Sequence, residues 1–143
     1  MYLVDTNVLS ERRKGRRADP GVAEFVDRKE HEIFVPVFVI GELRGGIERL
    51  RRRGDQPQAA SLEVWLQTVH EDFAARILAF DLTCAETWGQ LMSIDTQNPI
   101  DKQLAAMALV YDLSVVTHNV SHFEGTGVRV LNPFAADAGP LIL

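Results

Sequence analysis

The sequence predicts an α/β fold in which helices pack on both faces of a mostly parallel central sheet. Short apolar segments alternate with longer stretches of helical periodicity along all 143 residues. The apolar segments lack a two-residue alternation with polar residues, as expected for strands covered on both faces. With 46% hydrophobic and 24% charged residues, the chain has enough apolar mass for one core. We therefore expect residues 1–143 to form a single domain.

The predicted strands are short and rich in β-branched or aromatic residues, which favour extended backbone. Helices are predicted between them, so neighbouring strands have room for the crossovers that parallel pairing requires. The five strand candidates are Tyr2–Val4, Ile33–Val35, Ile77–Phe80, Val115–Thr117 and Val128–Val130.

The predicted helices are marked by capping residues, by proline in the first turn and by apolar residues at helical spacing. The first is short and opens at Asp5, with Thr6 or Asn7 as its N-cap. Another begins at the sequence Thr83–Glu86, which has the pattern of a capping box. The remaining helices span Pro20–Lys29, Pro36–Arg53, Gln58–Phe73 and Asn98–Tyr111.

The charge distribution is uneven. The net charge of −5 argues against a simple basic nucleic-acid binder. Ten of the 15 cations nevertheless fall into two short segments, and most are arginines, which bind phosphate in a bidentate manner. The first basic cluster contains Arg12, Arg13, Lys14, Arg16 and Arg17. The second basic cluster contains Arg44, Arg49, Arg51, Arg52 and Arg53.

The sequence argues against several classes of protein. The sequence has no run of about 18 apolar residues, so no membrane-spanning helix is predicted. The first residues do not have the pattern of a secretory leader. A single cysteine, Cys84, rules out an internal disulfide framework and a multi-cysteine zinc site. We therefore expect a protein of the reducing cytoplasm.

Acidic and polar residues follow the predicted strands. Asp5 ends the first strand, and Thr117 to Asn119 end the strand that begins at Val115. Asp101 lies in the first turn of the helix before that strand, and Glu42 lies in the helix after the Ile33 strand. Ligand sites in parallel sheets form beyond the carboxyl ends of strands, so strand order could bring these residues together.

Two further features near these positions have different interpretations. Gly45 and Gly46 lie on the same helical face as Glu42, and each costs about 1 kcal/mol relative to alanine within a helix. A close approach by another backbone or by a substrate would offset that cost. Asp81 also follows a strand, but its position before the Thr83–Glu86 pattern favours a role in the turn.

Five segments of the chain resemble, in order, the sequence motifs of PIN-domain ribonucleases of the VapC toxin type. The match extends over nearly the whole chain, which makes it specific. The segments are Leu3–Glu11, Val39–Gly46, Ile100–Asp101 followed by Leu104–Ala108, Val116–Phe123 and Val130–Phe134.

The resemblance implies a PIN-like α/β/α sandwich, metal-dependent cleavage of an RNA substrate, pairing with a cognate antitoxin protein and a homodimer. Carried over by position, Asp5, Glu42 and Asp101 match the acidic residues of the family, and Asn119 lies in the fourth motif. Members usually have an aspartate at the position of Asn119 or of His122, and this chain has neither.

A divalent cation suits this set of residues because clustered carboxylates repel one another and oxygen ligands favour hard ions. We expect Mg²⁺, or Mn²⁺, to be held by Asp5 and Asp101, directly or through water. Glu42 would orient the attacking water or act as a base, and Asn119 could offer its carbonyl oxygen. His122 could bind Mn²⁺ or donate a proton, or it could be a surface turn residue.

The basic clusters fit an RNA substrate because a carboxylate site repels phosphates unless cations at its rim hold the strand. Arg44, close to Glu42 in sequence, is the best rim candidate. The same arginines could instead receive an antitoxin, and the sequence does not separate these two uses.

Two alternative functions belong to other classes. The missing fourth carboxylate motivates a catalytically weak PIN-like domain that binds RNA or a protein partner. A phosphoacceptor receiver domain is also α/β with aspartates at strand ends. It ranks lower because the chain has no acidic pair after the first strand and no lysine after a late strand.

Overall fold

A five-stranded sheet forms the centre of the structure, a computed structural model that describes residues 1–135. It confirms the α/β class, and the end of the predicted domain, residues 136–143, lies outside the described range. The strands are β1 (Tyr2–Val4), β2 (Ile33–Pro36), β3 (Ile77–Leu78), β4 (Ser114–Val116) and β5 (Val130–Leu131).

Six α-helices surround this sheet, and four short 3₁₀ turns lie in the connections of the described chain. No helix within residues 1–135 combines the length and the apolar character needed to cross a membrane. The helices are α1 (Thr6–Arg12), α2 (Pro20–Lys29), α3 (Val37–Arg52), α4 (Gln56–Asp72), α5 (Leu82–Ile94) and α6 (Pro99–Tyr111).

The strands follow the order β3-β2-β1-β4-β5, and every pairing in the described sheet is parallel. The first strand is therefore central, with Leu3 opposite Phe34 on one side and Val115 on the other. At its carboxyl end Val4 lies opposite Val116. The residues that follow these two strands, Asp5 and Thr117, therefore emerge side by side.

Two hydrophobic cores cover the two faces of the sheet. One contains apolar residues of α1 to α4, including the fully buried Val8 and Val39. The other contains residues of α5 and α6, including Cys84 and Met107. Successive residues of β1 point into opposite cores, since Leu3 belongs to the second and Val4 to the first. This arrangement explains why the strands are apolar throughout.

The sequence analysis misplaced two helix caps. Asp5, not Thr6 or Asn7, caps α1, and its carboxylate accepts a hydrogen bond from the Thr6 N–H at 2.7 Å. Asp81 caps α5 by accepting from the Cys84 N–H at 3.0 Å, so the predicted Thr83 box lies inside the helix. In both cases the aspartate directly before the first helical residue reaches the first helical N–H groups before the later candidates do.

Four strands differ from their predicted bounds, β2 and β4 by no more than one residue at either end and the two edge strands by more. The predicted Ile77–Phe80 strand is paired only at Ile77–Leu78, and the last strand is Val130–Leu131 instead of Val128–Val130. Both lie at edges of the sheet, where a single neighbour supplies the hydrogen bonds that define a strand.

The segment after β5 packs tightly against the start of α2. The Asp19 side chain accepts hydrogen bonds from the N–H groups of Gly21, Val22 and Ala135. A Cβ atom at Gly21 would lie 2.2 Å from the Pro133 carbonyl oxygen and 2.8 Å from the Ala135 nitrogen. Only glycine therefore permits this close approach of two backbones.

Candidate active site

Asp5 occupies a buried, hydrogen-bonded position at the carboxyl end of the central strand. Only 8% of its surface is exposed. Its Oδ2 atom accepts a hydrogen bond from Thr117 Oγ1 at 2.8 Å and a longer one from Asn7 Nδ2 at 3.3 Å. The Asp5 N–H donates to the Val116 carbonyl at 3.0 Å, which fixes the residue to the neighbouring strand. The carboxylate therefore has a defined orientation before any ligand binds.

The pKa of Asp5 is raised, and the causes identify its neighbours. Burial is the largest cause, because it disfavours the charged form. The hydrogen bonds from Thr117 and Thr6 act in the opposite direction and lower the pKa. The negative charges of Asp101 and Glu42 raise it further, so both carboxylates lie near enough to act on Asp5.

Glu42 reaches this site from α3. Glu42 is exposed, and its Oε1 atom accepts a hydrogen bond from Thr6 Oγ1 at 2.8 Å. Thr6 therefore links two acidic residues, since its N–H donates to Asp5 and its hydroxyl donates to Glu42. An exposed carboxylate held in this way can still contact a water molecule or a substrate.

Asp101 lies in the first turn of α6 and contacts His122. Its Oδ2 atom is 2.7 Å from His122 Nδ1. The Asp101 side chain is 19% exposed and that of His122 is 39% exposed, so the pair faces solvent at the rim of the site. His122 is therefore a neighbour of the acidic residues and not an isolated turn residue.

Asn119 contributes its backbone to the site. Its N–H donates to Thr117 Oγ1 at 3.0 Å, and so holds the hydroxyl that contacts Asp5. Within residues 1–135 its side chain forms no hydrogen bond with the acidic residues. A role for the Asn119 side chain in catalysis stays a prediction.

Three further residues support the site. From the sequence, Thr6 and Asn7 were expected only as helix caps, and Thr117 was expected at the end of a strand. Thr6 joins Asp5 to Glu42, and Thr117 donates to Asp5. Asn7 donates to both Asp5 and Thr117 through Nδ2, and its Oδ1 accepts from the His118 N–H at 3.1 Å. The run of three polar residues directly after a buried strand was the available signal.

Within the described chain, no backbone contact compensates for the cost of placing Gly45 and Gly46 in a helix. The nearest outside atoms to a Cβ at Gly45 or Gly46 belong to the Arg49 side chain, at 3.4 and 3.8 Å. No other backbone of the described chain approaches this face within 4 Å, so the suggestion of close backbone packing is wrong. The face beside Glu42 is instead open to a ligand.

The acidic residues form a looser group than the sequence analysis expected. Within residues 1–135, no three histidine, cysteine or acidic side chains are arranged to hold a metal ion. Asp101 is bonded to His122 and Glu42 to Thr6, so neither points freely at Asp5. The oxygen donors suit a hard divalent cation, which commonly takes one or two carboxylates and keeps several waters. The assignment of Asp5 and Asp101 as the two ligands stays a prediction.

Ion pairs neutralise part of the second basic cluster. Arg44 pairs with Glu63 of α4 and, at 3.6 Å, with Glu48. Arg51 pairs with the same two carboxylates. The interpretation of Arg44 as the principal cation at the rim of the site is therefore not supported.

Comparison with known proteins places this geometry in a family. Residues 2–125 match the PIN domain. The chain belongs to the PIN-domain family. This PIN domain is 31% identical over 144 residues to the plasmid stability protein StbB of Pseudomonas syringae pv. tomato, covering 95% of this chain and all of StbB. It is 26% identical to the VapC ribonuclease Y4jK of Sinorhizobium fredii, covering 94% and 98% of the two chains.

Solved structures agree with the assignment of this PIN domain. The crystal structure of FitAcB from Neisseria gonorrhoeae superposes with a TM-score of 0.83 at 28% identity, covering 93% of this chain and 98% of that chain. The structure of FitAB bound to an IR36 DNA fragment gives a TM-score of 0.71 at 26% identity, covering 93% and 95%. The PIN-like α/β/α sandwich expected from the sequence is thus confirmed.

Proposed function

We propose that this PIN domain is a divalent-metal-dependent endoribonuclease and the toxin of a toxin–antitoxin pair. The observation that carries the proposal is the buried Asp5 carboxylate. Thr6 and Thr117 orient it, and the negative charges of Asp101 and Glu42 act on it. The relatives add support, because they include a protein named VapC ribonuclease and another named toxin FitB. We treat the whole chain, residues 1–143, as one domain.

Asp5 and Asp101 are the proposed ligands of Mg²⁺ or Mn²⁺. When bound there, the cation supplies an activated water and neutralises charge on the scissile phosphate. Thr6 and Thr117 keep the Asp5 oxygens oriented through their hydrogen bonds. In this proposal the exposed Glu42 orients the attacking water or accepts its proton. The water oxygen bonds to phosphorus as its proton is lost to the base, the bond from phosphorus to the leaving oxygen breaks, and the leaving oxygen takes up a proton from solvent.

The partners follow from the same family relationship. The structures that resemble this PIN domain carry the names of complexes, FitAcB and FitAB among them. We propose that a cognate antitoxin binds this chain, that the chain forms a homodimer and that the activity is exerted on RNA in the cytoplasm.

The proposed function is tested by RNA cleavage with a matched pair of variants. Asp5→Asn is expected to lower the cleavage rate at least about a hundredfold, because it removes a charged ligand from the site. Asp81→Asn is the control, since Asp81 also caps a helix after a strand but lies outside the acidic group. Cleavage that persists equally in Asp5→Asn, or in the presence of EDTA, would contradict the proposal.

A second candidate function is a PIN domain that binds RNA with little or no cleavage. It is favoured by the contact of Asp101 with His122 and by the uncharged Asn119 in the fourth motif. Calorimetric titration with Mn²⁺ distinguishes the two. Binding that is lost in Asp5→Asn supports the nuclease, and heat signals identical in both proteins support the binding module.

A further inference from the structure

A small pocket lies directly beside the candidate active site. Its volume is about 300 Å³, at the lower end of the range for ligand sites, which is room for one small organic group. Asn7 connects the two places, because it lines the pocket while its Nδ2 donates to Asp5. The lining residues are Asn7, Ser10, Glu11, Arg13, Lys14, His118 and Phe134.

The wall of this pocket combines cations with an aromatic ring. Lys14 Nζ is bound to Glu11 Oε1 at 2.8 Å, and the Asp19 N–H donates to the other Glu11 oxygen at 2.9 Å. Both contacts lower the pKa of Glu11, which therefore stays ionised and holds Lys14. Arg13 differs, since no carboxylate within residues 1–135 lies in ion-pair range of its guanidinium.

The aromatic side of the pocket is formed by Phe134. Its ring contacts the His118 ring edge-on, with centroids 4.7 Å apart. Phe134 is partly buried against the first hydrophobic core, so the ring has a fixed position. Aromatic rings held in this way are the surfaces on which proteins stack unpaired bases.

Further cations continue away from the pocket. Arg16 and Arg17 are exposed on the 3₁₀ turn Gly15–Arg17, and the described chain offers neither of them a carboxylate partner. Arg12 differs, because it is bound to Asp27 through two hydrogen bonds. Arg13 follows the last residue of α1, eight residues from Asp5, or about 12 Å along the helix axis. A strand of a few nucleotides can therefore join the acidic site to this basic cluster.

We propose that this pocket binds one nucleotide of single-stranded RNA, with Arg13 on a phosphate and the base against Phe134, and that Arg16 and Arg17 hold the adjoining backbone. The inference rests on the proposed function, because the strand that occupies the pocket is the substrate cleaved beside it. RNA is favoured over a protein partner because the phosphate-binding cations, the aromatic ring and the acidic site form one continuous surface through Asn7.

The test measures RNA affinity without divalent ions and uses two matched pairs of arginines. A labelled single-stranded RNA is titrated with the full chain in EDTA, and its fluorescence anisotropy is followed at several salt concentrations. Arg13→Gln/Arg16→Gln is expected to weaken binding about tenfold and to reduce the salt dependence, because two phosphate contacts are lost. Arg52→Gln/Arg53→Gln, at the far end of α3, is expected to stay within about twofold of wild type.

Phe134→Leu tests the aromatic contact while keeping an apolar side chain in the core. We expect affinity to fall about three- to tenfold, with an unchanged salt dependence and a thermal midpoint close to that of wild type. Equal affinities in wild type and in both pocket variants would overturn the proposal and assign the basic cluster to a protein partner. A similar loss in both arginine pairs would also overturn it, because the binding would then be diffuse.

The outcome is separable from that of the proposed function. A wild-type protein that binds RNA through these residues but cleaves nothing contradicts the nuclease and supports the pocket. A wild-type protein that cleaves RNA, with no change of affinity or rate in Arg13→Gln/Arg16→Gln, contradicts the pocket alone.

Discussion

Asp5 and Asp81 are both N-cap residues in βα connections, and they have opposite electrostatic properties. Each follows a strand and caps the next helix with its carboxylate. Burial raises the pKa of Asp5, and the nearby acidic charges add to that effect. The hydrogen bond from the Cys84 N–H is the main reason that the pKa of Asp81 is lowered, and the Tyr111 hydroxyl adds to it.

The difference shows that a capping role alone does not separate an aspartate proposed to be functional, Asp5, from a structural one, Asp81. The negative charge of Asp81 stabilises the folded protein, because its partners are hydrogen-bond donors and the residue is exposed to solvent. Asp5 in its charged form costs stability, because it is buried and has acidic neighbours. Charge that the fold disfavours is what a bound cation can compensate. The comparison therefore predicts opposite responses at the two positions.

The largest expected effect is stabilisation by a divalent cation that depends on Asp5. At a concentration a hundred times the dissociation constant, a ligand that binds only the folded state adds about 2.7 kcal/mol, or roughly 5–10 °C in Tm. We expect Mg²⁺ or Mn²⁺ to raise the Tm of the wild type and of Asp81→Asn by this amount, measured by calorimetry. An equal rise in Asp5→Asn would break the comparison, because the cation would then bind elsewhere.

The next effect is on the metal-free protein. A folded-state pKa above the unfolded value means that the folded protein binds the proton more tightly, so stability falls as pH rises through that window. The cost is fully present at pH values above the folded-state pKa of Asp5. Asp5→Asn is therefore expected to raise Tm in EDTA by roughly 2–5 °C at pH 7 while abolishing cleavage.

The pH dependence of this gain provides its control. As pH falls through the raised pKa, the wild-type Asp5 is protonated, and its difference from Asp5→Asn is expected to shrink. Chemical denaturation at a series of pH values measures the difference. An Asp5→Asn variant less stable than wild type at pH 7 would show that its hydrogen bonds outweigh the cost of burying its charge.

The smallest effect is expected at Asp81. Asp81→Ala removes the acceptor for the Cys84 N–H and is expected to lower Tm by roughly 2–5 °C at pH 7 with cleavage retained. Because the pKa of Asp81 is lowered in the folded state, its charge stabilises the protein at pH values above the unfolded-state pKa. This stability is lost as the pH falls through the folded-state pKa. The Tm difference between Asp81→Ala and wild type is therefore expected to shrink in acid. A loss of cleavage in Asp81→Ala would contradict the purely structural role assigned to Asp81.

Much of the fold was readable from the sequence because its signals are local. The helix Pro20–Lys29 has the predicted bounds, since a proline in the first turn and an aspartate before it fix its start. The turn role of Asp81 is confirmed. The caps of two helices were wrong by one or two positions, because capping depends on where the preceding strand ends.

The candidate site was predictable in composition and not in detail. The family resemblance, with the placement of residues after strands, pointed to Asp5, Glu42 and Asp101, and in the structure the charges of Glu42 and Asp101 both act on Asp5. The contact of His122 with Asp101 joins a helix to a distant loop, and no local pattern indicates it. The pairing of Arg44 with Glu63 likewise joins two helices.

Gly21 is not among the residues of the candidate active site or the lining of the proposed nucleotide pocket, yet it affects the aromatic wall of that pocket. Its missing side chain lets the Pro133 carbonyl approach α2, and the adjoining Phe134 forms the aromatic wall. Any larger residue at position 21 would push that wall outward and widen the groove. In the proposed pocket, the position of the aromatic wall against a nucleobase therefore depends on the absence of a Cβ atom at Gly21.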